Sequence, residues 1–236
     1  MHYLPALRSA ILIKRYKRFL ADVLTPAGEI FTLHCANTGA MTGCGQPGDR
    51  IWYSTHHLSR RKYPHSWELT ETASGALICV NTQRANALFK EMHQQHPLPQ
   101  LRHYSQITRE VRLPASGSRI DFLLEAPGEI PCYLEVKSVT LCESGHGYFP
   151  DSPTLRGQKH LQALSDLVKA GKRAILFFAV LHSDICCVSP ALYIDPIYTN
   201  LLLAAIDTGV EVIACKAKFS SDIITLGEQI PFILPT

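Results

Sequence analysis

Ser118-Arg119-Ile120-Asp121-Phe122-Leu123-Leu124, a turn at Ala126-Pro127-Gly128, and Cys132-Tyr133-Leu134-Glu135-Val136-Lys137-Ser138-Val139 read as two adjacent antiparallel strands. Side chains alternate across a strand, so Glu135 and Lys137 share one face while Leu134, Val136 and Ser138 take the other. Val136 is therefore expected in the core. On the preceding strand Asp121 alternates with Ile120 and Phe122. A register that sets its carboxylate opposite or diagonal to Glu135 brings the two within roughly 5–8 Å. Two such carboxylates suit Mg2+ or Mn2+, because Mg2+ prefers octahedral oxygen coordination and is held by one or two protein carboxylates plus waters and substrate phosphate oxygens. Lys137 beside them would orient an attacking water or stabilise charge developing at phosphorus. The bland alternative is an exposed Glu–Lys ion pair with Asp121 as a solvated neighbour, and spacing alone does not separate the two.

Outward from this hairpin the second half alternates helices and strands. Ala85–Met92 has helical spacing and is ended by Pro97 and Pro99. Thr108–Leu113 reads as a strand. The stretch 155–170 places Leu161, Leu164 and Val168 on one stripe, with Thr154 as N-cap and Gly171 just past its end. Ala174–Val180 is continuously apolar and reads as a buried strand. A helix from Pro196, capped by Asp195, runs to Gly209, and Val210–Cys215 is the closing strand. The resulting order is helix, three strands, helix, strand, helix, strand, a mixed-sheet α/β layout in which a meander precedes a crossover helix.

Residues 10 to 82 carry only strand signals: a first strand from Ala10 through to Leu24, then 29–35, 49–55, 66–70 and 76–80. About five short strands in that length are consistent with a small closed β-barrel of the OB type. We therefore expect two domains, an OB-like barrel over 1–82 and an α/β domain over 83–236. In the first strand Lys14, Arg15, Tyr16, Lys17, Arg18 and Phe19 interleave charge with aromatic rings. Arg60, Arg61 and Lys62 lead a similar run in a loop that continues through Tyr63 to Trp67. That chemistry suits a groove that tracks phosphates while rings stack on bases, so these are the expected nucleic-acid contacts. The competing explanation is a basic edge strand protected from aggregation by its charge. Asn37-Thr38-Gly39 reads as a tight turn, with Gly39 or Gly43 serving backbone conformation and Asn37 and Thr38 as ligand contacts in the sharper reading.

The chain has 236 residues, 46% hydrophobic and 18% charged, the composition of an ordinary globular protein. Its net charge of +3 conceals an asymmetry. Residues 1–90 hold eleven Lys and Arg against five Asp and Glu, and residues 91–236 hold twelve against fifteen, so the polyanion-attracting character is concentrated at the front. No run of eighteen apolar residues and no basic-then-apolar leader is present, so a cytoplasmic protein without a membrane partner is expected. The eight cysteines are scattered with no C-x-x-C, and reduced thiols are expected. Cys35, Cys44 and His34 lack the paired spacing of a zinc site. No helix-turn-helix signature is visible.

The element order and the Asp121, Glu135-x-Lys137 spacing resemble the PD-(D/E)XK nucleases. The resemblance implies an active site of Asp121, Glu135 and Lys137 plus a polar residue on the following helix, Gln158, with Asp121 and Glu135 as metal ligands. Ile120 stands where the motif's proline would be. Asn86, Glu91 or Glu110 is implied as a further polar ligand, each otherwise a solvated residue; His160 on the same helix as Gln158 is either a phosphate contact or simply a half-buried helix residue.

Over nearly its full length the chain resembles the sugar fermentation stimulation (SfsA) family. The blocks that carry this are His34–Met41, Lys62–Leu69, Ser118–Phe122, Glu135–Thr140, Gly147–Asp151 and Arg156–Leu161. The resemblance implies an OB-like domain joined to a nuclease-like one, DNA as partner, and a role in regulating sugar, particularly maltose, metabolism. A nuclease fold is also retained in proteins that only bind. Three functions stay open: a metal-dependent phosphodiesterase acting on DNA, with single-stranded and branched forms among its substrates; a non-catalytic, largely sequence-nonspecific DNA-binding regulator; and a carbohydrate or small-nucleotide binder. A homodimer is expected if two strands are cut.

Overall fold

The computed structural model describes residues 1–3, 6–56, 62–113, 117–220 and 222–235. Its first half is a closed barrel. β1 (Arg8–Tyr16), β2 (Leu20–Leu24) and β3 (Ile30–Cys35) form a meander, β4 (Arg50–Thr55) returns alongside β1, and β5 (His65–Glu71) pairs with β4. Parallel pairing of His34 with Ser66 and Cys35 with Trp67 joins β3 to β5 and closes the ring. β6 (Leu77–Cys79) adds to the outer side of β5. Leu12, Val23, Leu33, Ile51 and Trp67 fill the interior. The Trp67 indole N–H donates to the Leu69 carbonyl at 3.0 Å. Gly45 lies so close to that indole that an added Cβ would come within 2.6 Å of the ring.

The expected first strand is two strands. It breaks at Lys17-Arg18-Phe19, where Lys17 and Arg18 take φ of 50° and 64°. Tight hairpins favour positive φ at their central residues because that twist matches the flanking strands. The basic run is thus split: Lys14, Arg15 and Tyr16 end β1, while Lys17 and Arg18 form the hairpin tip.

The second half runs α1 (Gln83–Gln95), β7 (Gln106–Arg112), β8 (Arg119–Glu125), β9 (Cys132–Val139), β10 (Leu141–Glu143), β11 (His146–Phe149), α2 (Leu155–Lys169), β12 (Arg173–Val180), β13 (Cys187–Pro190), α3 (Pro196–Thr208), β14 (Glu211–Phe219) and β15 (Ile224–Ile230). A six-stranded mixed sheet has the order β15-β14-β12-β9-β8-β7, with β12 parallel to β9 and β14. The edge strand β15 and the small sheet of β10, β11 and β13 go beyond the sequence expectation, the latter three being too short for periodicity to register. The helix caps are as expected: Thr154 Oγ1 accepts from the Gly157 N–H at 3.0 Å, and Asp195 Oδ1 from the Tyr198 N–H at 2.8 Å.

α1 covers one face of the sheet, packing Leu88 and Phe89 into a cluster with Phe122, Leu134, Val136 and Phe177. Val136 is in the core as expected. α2 and α3 cover the other face, with Leu161, Leu164 and Leu202 clustered with Leu176, Phe178 and Val180. The α1-side cluster also takes in Tyr3, Leu69 and Cys79 from the barrel half. β6 is held from both sides: besides its pairing with β5, the Cys79 N–H donates to the Leu181 carbonyl and the Ser183 N–H to the Leu77 carbonyl, both at 2.9 Å.

Candidate active site

β8 and β9 pair through Leu124–Cys132, Leu123–Tyr133 and Phe122–Leu134, and the ladder then stops. Continued by one step, that register sets Asp121 opposite Glu135. The strands part there, and the two carboxylates satisfy the backbone donors that the ladder releases. Val136 N–H donates to Asp121 Oδ2 at 2.9 Å, and Asp121 N–H to Glu135 Oε2 at 3.3 Å. On the other side of β8 the Glu110–Asp121 pair is also missing, and Glu110 takes a φ of 56°. Asp121 is therefore a kink between two irregularities. This explains why Ile120 packs on the α2 side and Phe122 on the α1 side, although simple alternation would put them on one face.

Glu135 is 2% exposed. Its Oε1 accepts from Lys137 Nζ at 2.6 Å and makes a short contact with His160 Nδ1. An ionised carboxylate only accepts, so Nδ1 is assigned as the protonated ring nitrogen. Nδ1 and Lys137 Nζ, 3.2 Å apart, are then two donors converging on one oxygen. Burial alone would raise the Glu135 pKa, but the Lys137 charge and the His160 hydrogen bond outweigh it and hold the group below its ordinary value. Asp121 is shifted the opposite way: burial, then the Glu135 charge, push its carboxyl up.

Of the three residues considered as an additional ligand, Asn86 on α1 reaches the site, its Nδ2 donating to Asp121 Oδ1 at 2.8 Å. Glu91 instead pairs with the Met1 amino group at 2.6 Å, and Glu110 with Arg119 at 3.3 Å. Gln158 is on α2 as expected, but its amide is placed on Asp195, at 3.1 and 3.2 Å from the two carboxylate oxygens. His160 is the α2 residue on Glu135. Two residues along a helix are about 200° apart, so Gln158 and His160 cannot face the same group. The sequence held a signal for this, because His160 is four residues before Leu164 and so lies on the apolar stripe.

The parting of β8 leaves one edge of Glu135–Val139 open, and this edge helps line a cleft of about 420 Å³. Asn86, Lys137 and Ser138 line it from the α/β half, and Arg18, Asn37 and Thr38 from the barrel. Ser138 Oγ is buried without a hydrogen-bond partner among the described residues. The Asn37 turn is built as expected, with Gly39 N–H donating to Asn37 Oδ1 at 2.8 Å, and Gly43 takes a φ of 76°. Gly39 has a different role: an added Cβ would stand 2.5 Å from Asp151 Oδ2, the atom that accepts from the Met41 N–H at 3.1 Å and so holds the barrel loop against the second half.

The basic residues of the barrel are dispersed. Arg15 uses its guanidinium on the carbonyls of Arg18, Asn37, Gly39 and Ala40, pinning the hairpin tip to the turn. Lys14 pairs loosely with Asp22 at 3.5 Å, and the Tyr16 hydroxyl donates to Asp22 at 3.0 Å. Lys17 and Arg18 are exposed at the tip. Lys62 lines a separate cleft with His34, His56 and Arg84. Arg60 and Arg61 lie outside the described residues.

All eight cysteines are free. Burial pushes the Cys35 thiol up and the Cys44 thiol up to about 11, so neither is poised as a thiolate ligand. Among the described residues no cluster of three or more His, Cys, Asp and Glu could hold a metal, and no helix is long and apolar enough to cross a membrane.

The family model described as the sugar fermentation stimulation protein RE domain matches residues 83–222, and that described as the SfsA N-terminal OB domain matches residues 13–80. Among solved structures, the chain is similar to Pyrococcus furiosus SfsA in complex with Ca2+, with 26% identity and a TM-score of 0.89. The match covers 99% of this chain and 98% of that one.

Proposed function

The chain belongs to the sugar fermentation stimulation protein family, and from that premise we propose that it binds DNA and hydrolyses a phosphodiester bond, with Mg2+ or Mn2+ held by Asp121 and Glu135. The observation that carries this reading is the pair of mostly buried carboxylates set at a parted strand edge, with their partners Lys137 and Asn86 lining a cleft. A sheet gains nothing from breaking its ladder to bring two acids together; a hard cation does use such a pair. The donors offered are oxygens, the ligand class that Mg2+, Mn2+ and the Ca2+ of the Pyrococcus furiosus relative prefer.

The cation would supply positive charge at the scissile phosphate and a more acidic water. Asn86 fixes the rotamer of Asp121, and His160 that of Glu135. Lys137 Nζ has three protons and gives one to Glu135, which leaves two for the attacking water and a phosphate oxygen. In hydrolysis the water oxygen bonds to phosphorus as the ester P–O bond breaks. The water's proton leaves to solvent, the departing alkoxide takes up a proton from solvent to leave as the alcohol, and the ammonium stabilises the negative charge added at phosphorus. Arg18 and Lys17, held at the hairpin tip, would meet the flanking phosphates.

One observation favours a second reading, a non-catalytic DNA-binding regulator. All four carboxylate oxygens of Asp121 and Glu135 already accept protein hydrogen bonds. The test is cleavage of labelled single-stranded, duplex and branched DNA and single-stranded RNA in Mg2+, Mn2+ or EDTA. We expect metal-dependent cutting that falls about 100-fold or more in Glu135→Ala and Lys137→Ala. DNA binding without cutting under either metal would overturn the catalytic reading and leave the regulator.

A further inference from the structure

A second cleft, of about 640 Å³, reaches the site through His160, whose Nδ1 contacts Glu135, and its lining sets three arginines against one glutamate, Glu110. Its walls include Arg112 on β7, Arg119 on β8, and Arg156 and His160 on α2. Arg156 and His160 are four residues apart and share a helix face, so the turn that delivers His160 to Glu135 delivers Arg156 to this cleft. Arg112 and Arg119 are directly opposed in the β7–β8 ladder. Like charges in that relation destabilise a strand pair. Glu110 answers one of them, at 3.3 Å from Arg119, but among the described residues neither Arg112 nor Arg156 has an ion-pair partner. α2 also has no acidic residue in its first turn, so Arg156 adds to the positive end of the helix dipole instead of offsetting it. Three independent features of the fold thus concentrate uncompensated positive charge on one concave surface beside Glu135.

The geometry points to this cleft as a seat for backbone phosphates of the DNA strand, so that the strand crosses the acidic pair from the Arg18 side to the Arg156 side. This rests on the phosphodiesterase reading above. Lys137 lines the first cleft, His160 lines the second, and the two side chains are 3.2 Å apart over Glu135, so the clefts meet at the candidate reaction centre. Arginine suits the role because its planar fork matches phosphate oxygens in pairs.

The test is equilibrium binding of a labelled 20-nucleotide single strand in EDTA across a salt series, for the unaltered protein, Arg112→Gln/Arg156→Gln, and Arg102→Gln/Lys172→Gln. All four substituted residues are exposed, so the folds are retained, and the last pair removes the same charge outside the cleft. For a single strand each lost phosphate contact flattens the log affinity against log salt slope by about 0.7, so the cleft variant should be about 1.4 less steep and the control unchanged. Equal slopes for both variants overturn the proposal. Failure of the unaltered protein to bind the strand also overturns it, as does saturable binding of inorganic phosphate that depends on Arg112 and Arg156 while strand binding does not. Because binding is read without metal, none of these outcomes depends on whether Glu135→Ala abolishes cutting, which judges the catalytic reading separately.

Discussion

Asp121 and Glu135 are neighbours with opposite electrostatic fates, and the difference has a measurable sign. The Asp121 pKa is raised, so this group favours the folded state only below its unfolded value, ordinarily 3.8, and that contribution is lost as pH rises through the folded value. The Glu135 pKa is lowered, so its contribution is present above the ordinary 4.5 and lost as pH falls through the folded value. In EDTA at pH 7, Asp121→Asn should therefore melt at or above the unaltered protein and Glu135→Gln below it, each difference shrinking as the pH falls through that carboxyl's folded value. A divalent cation relieves the repulsion between the two carboxylates. Saturating Mn2+ at about 100 times its Kd should stabilise the unaltered protein by about 2.7 kcal/mol and leave Asp121→Asn unmoved. Thermal melts with and without Mn2+ check both statements; an equal Mn2+ shift in Asp121→Asn would remove Asp121 from the ligand set.

At the scale of elements, the β1–β2 hairpin tip shows how local strain serves a surface. Lys17 and Arg18 occupy a left-handed region that costs a side chain about 1–2 kcal/mol, and the four carbonyls gathered by Arg15 hold them there. Lys17→Gly should raise stability by up to about 1 kcal/mol and Arg15→Ala should lower it by about 1–2 kcal/mol, both read as shifts in urea midpoint with unchanged slope. A stabilising Arg15→Ala would contradict the pinning role. The sequence displayed Lys14 to Phe19 as one alternating run because composition is blind to positive φ. Elsewhere the long periodic elements were legible: the three helices, their Thr154 and Asp195 caps, and the buried β12 follow from spacing and capping chemistry. The pairing of Asp121 with Glu135 was legible from strand alternation, but the parting of β8 from β9 was not. Side chains replacing ladder carbonyls leave no periodic trace. Gln158 and His160 differ only in helical phase, and the apolar stripe could have decided between them.

Across the whole molecule, the barrel and the α/β half are joined through buried contacts. β6 is bonded on one side to β5 and on the other to the chain after β12, and Tyr3, Leu69 and Cys79 share a hydrophobic cluster with α1 and the large sheet. Domains linked only by a tether unfold separately, and chains above about 150 residues often populate intermediates, so shared burial makes a discriminating prediction. Both tryptophans, Trp52 and Trp67, lie on barrel strands, and among the described residues the three α-helices lie in the second half. Trp67 fills the barrel interior while Trp52 packs against the shared cluster, so in a Trp52→Phe background fluorescence reports the barrel, and ellipticity at 222 nm reports chiefly the helices. We expect the two urea transitions to coincide. Leu69 sits on a barrel strand yet belongs to the shared cluster, so Leu69→Ala should cost about 2–5 kcal/mol and move both midpoints by the same amount. If fluorescence changes at lower urea than ellipticity, or if Leu69→Ala shifts only the fluorescence curve, the shared cluster does not couple the halves. The cleft they form around Lys137 would then open without unfolding the α/β half.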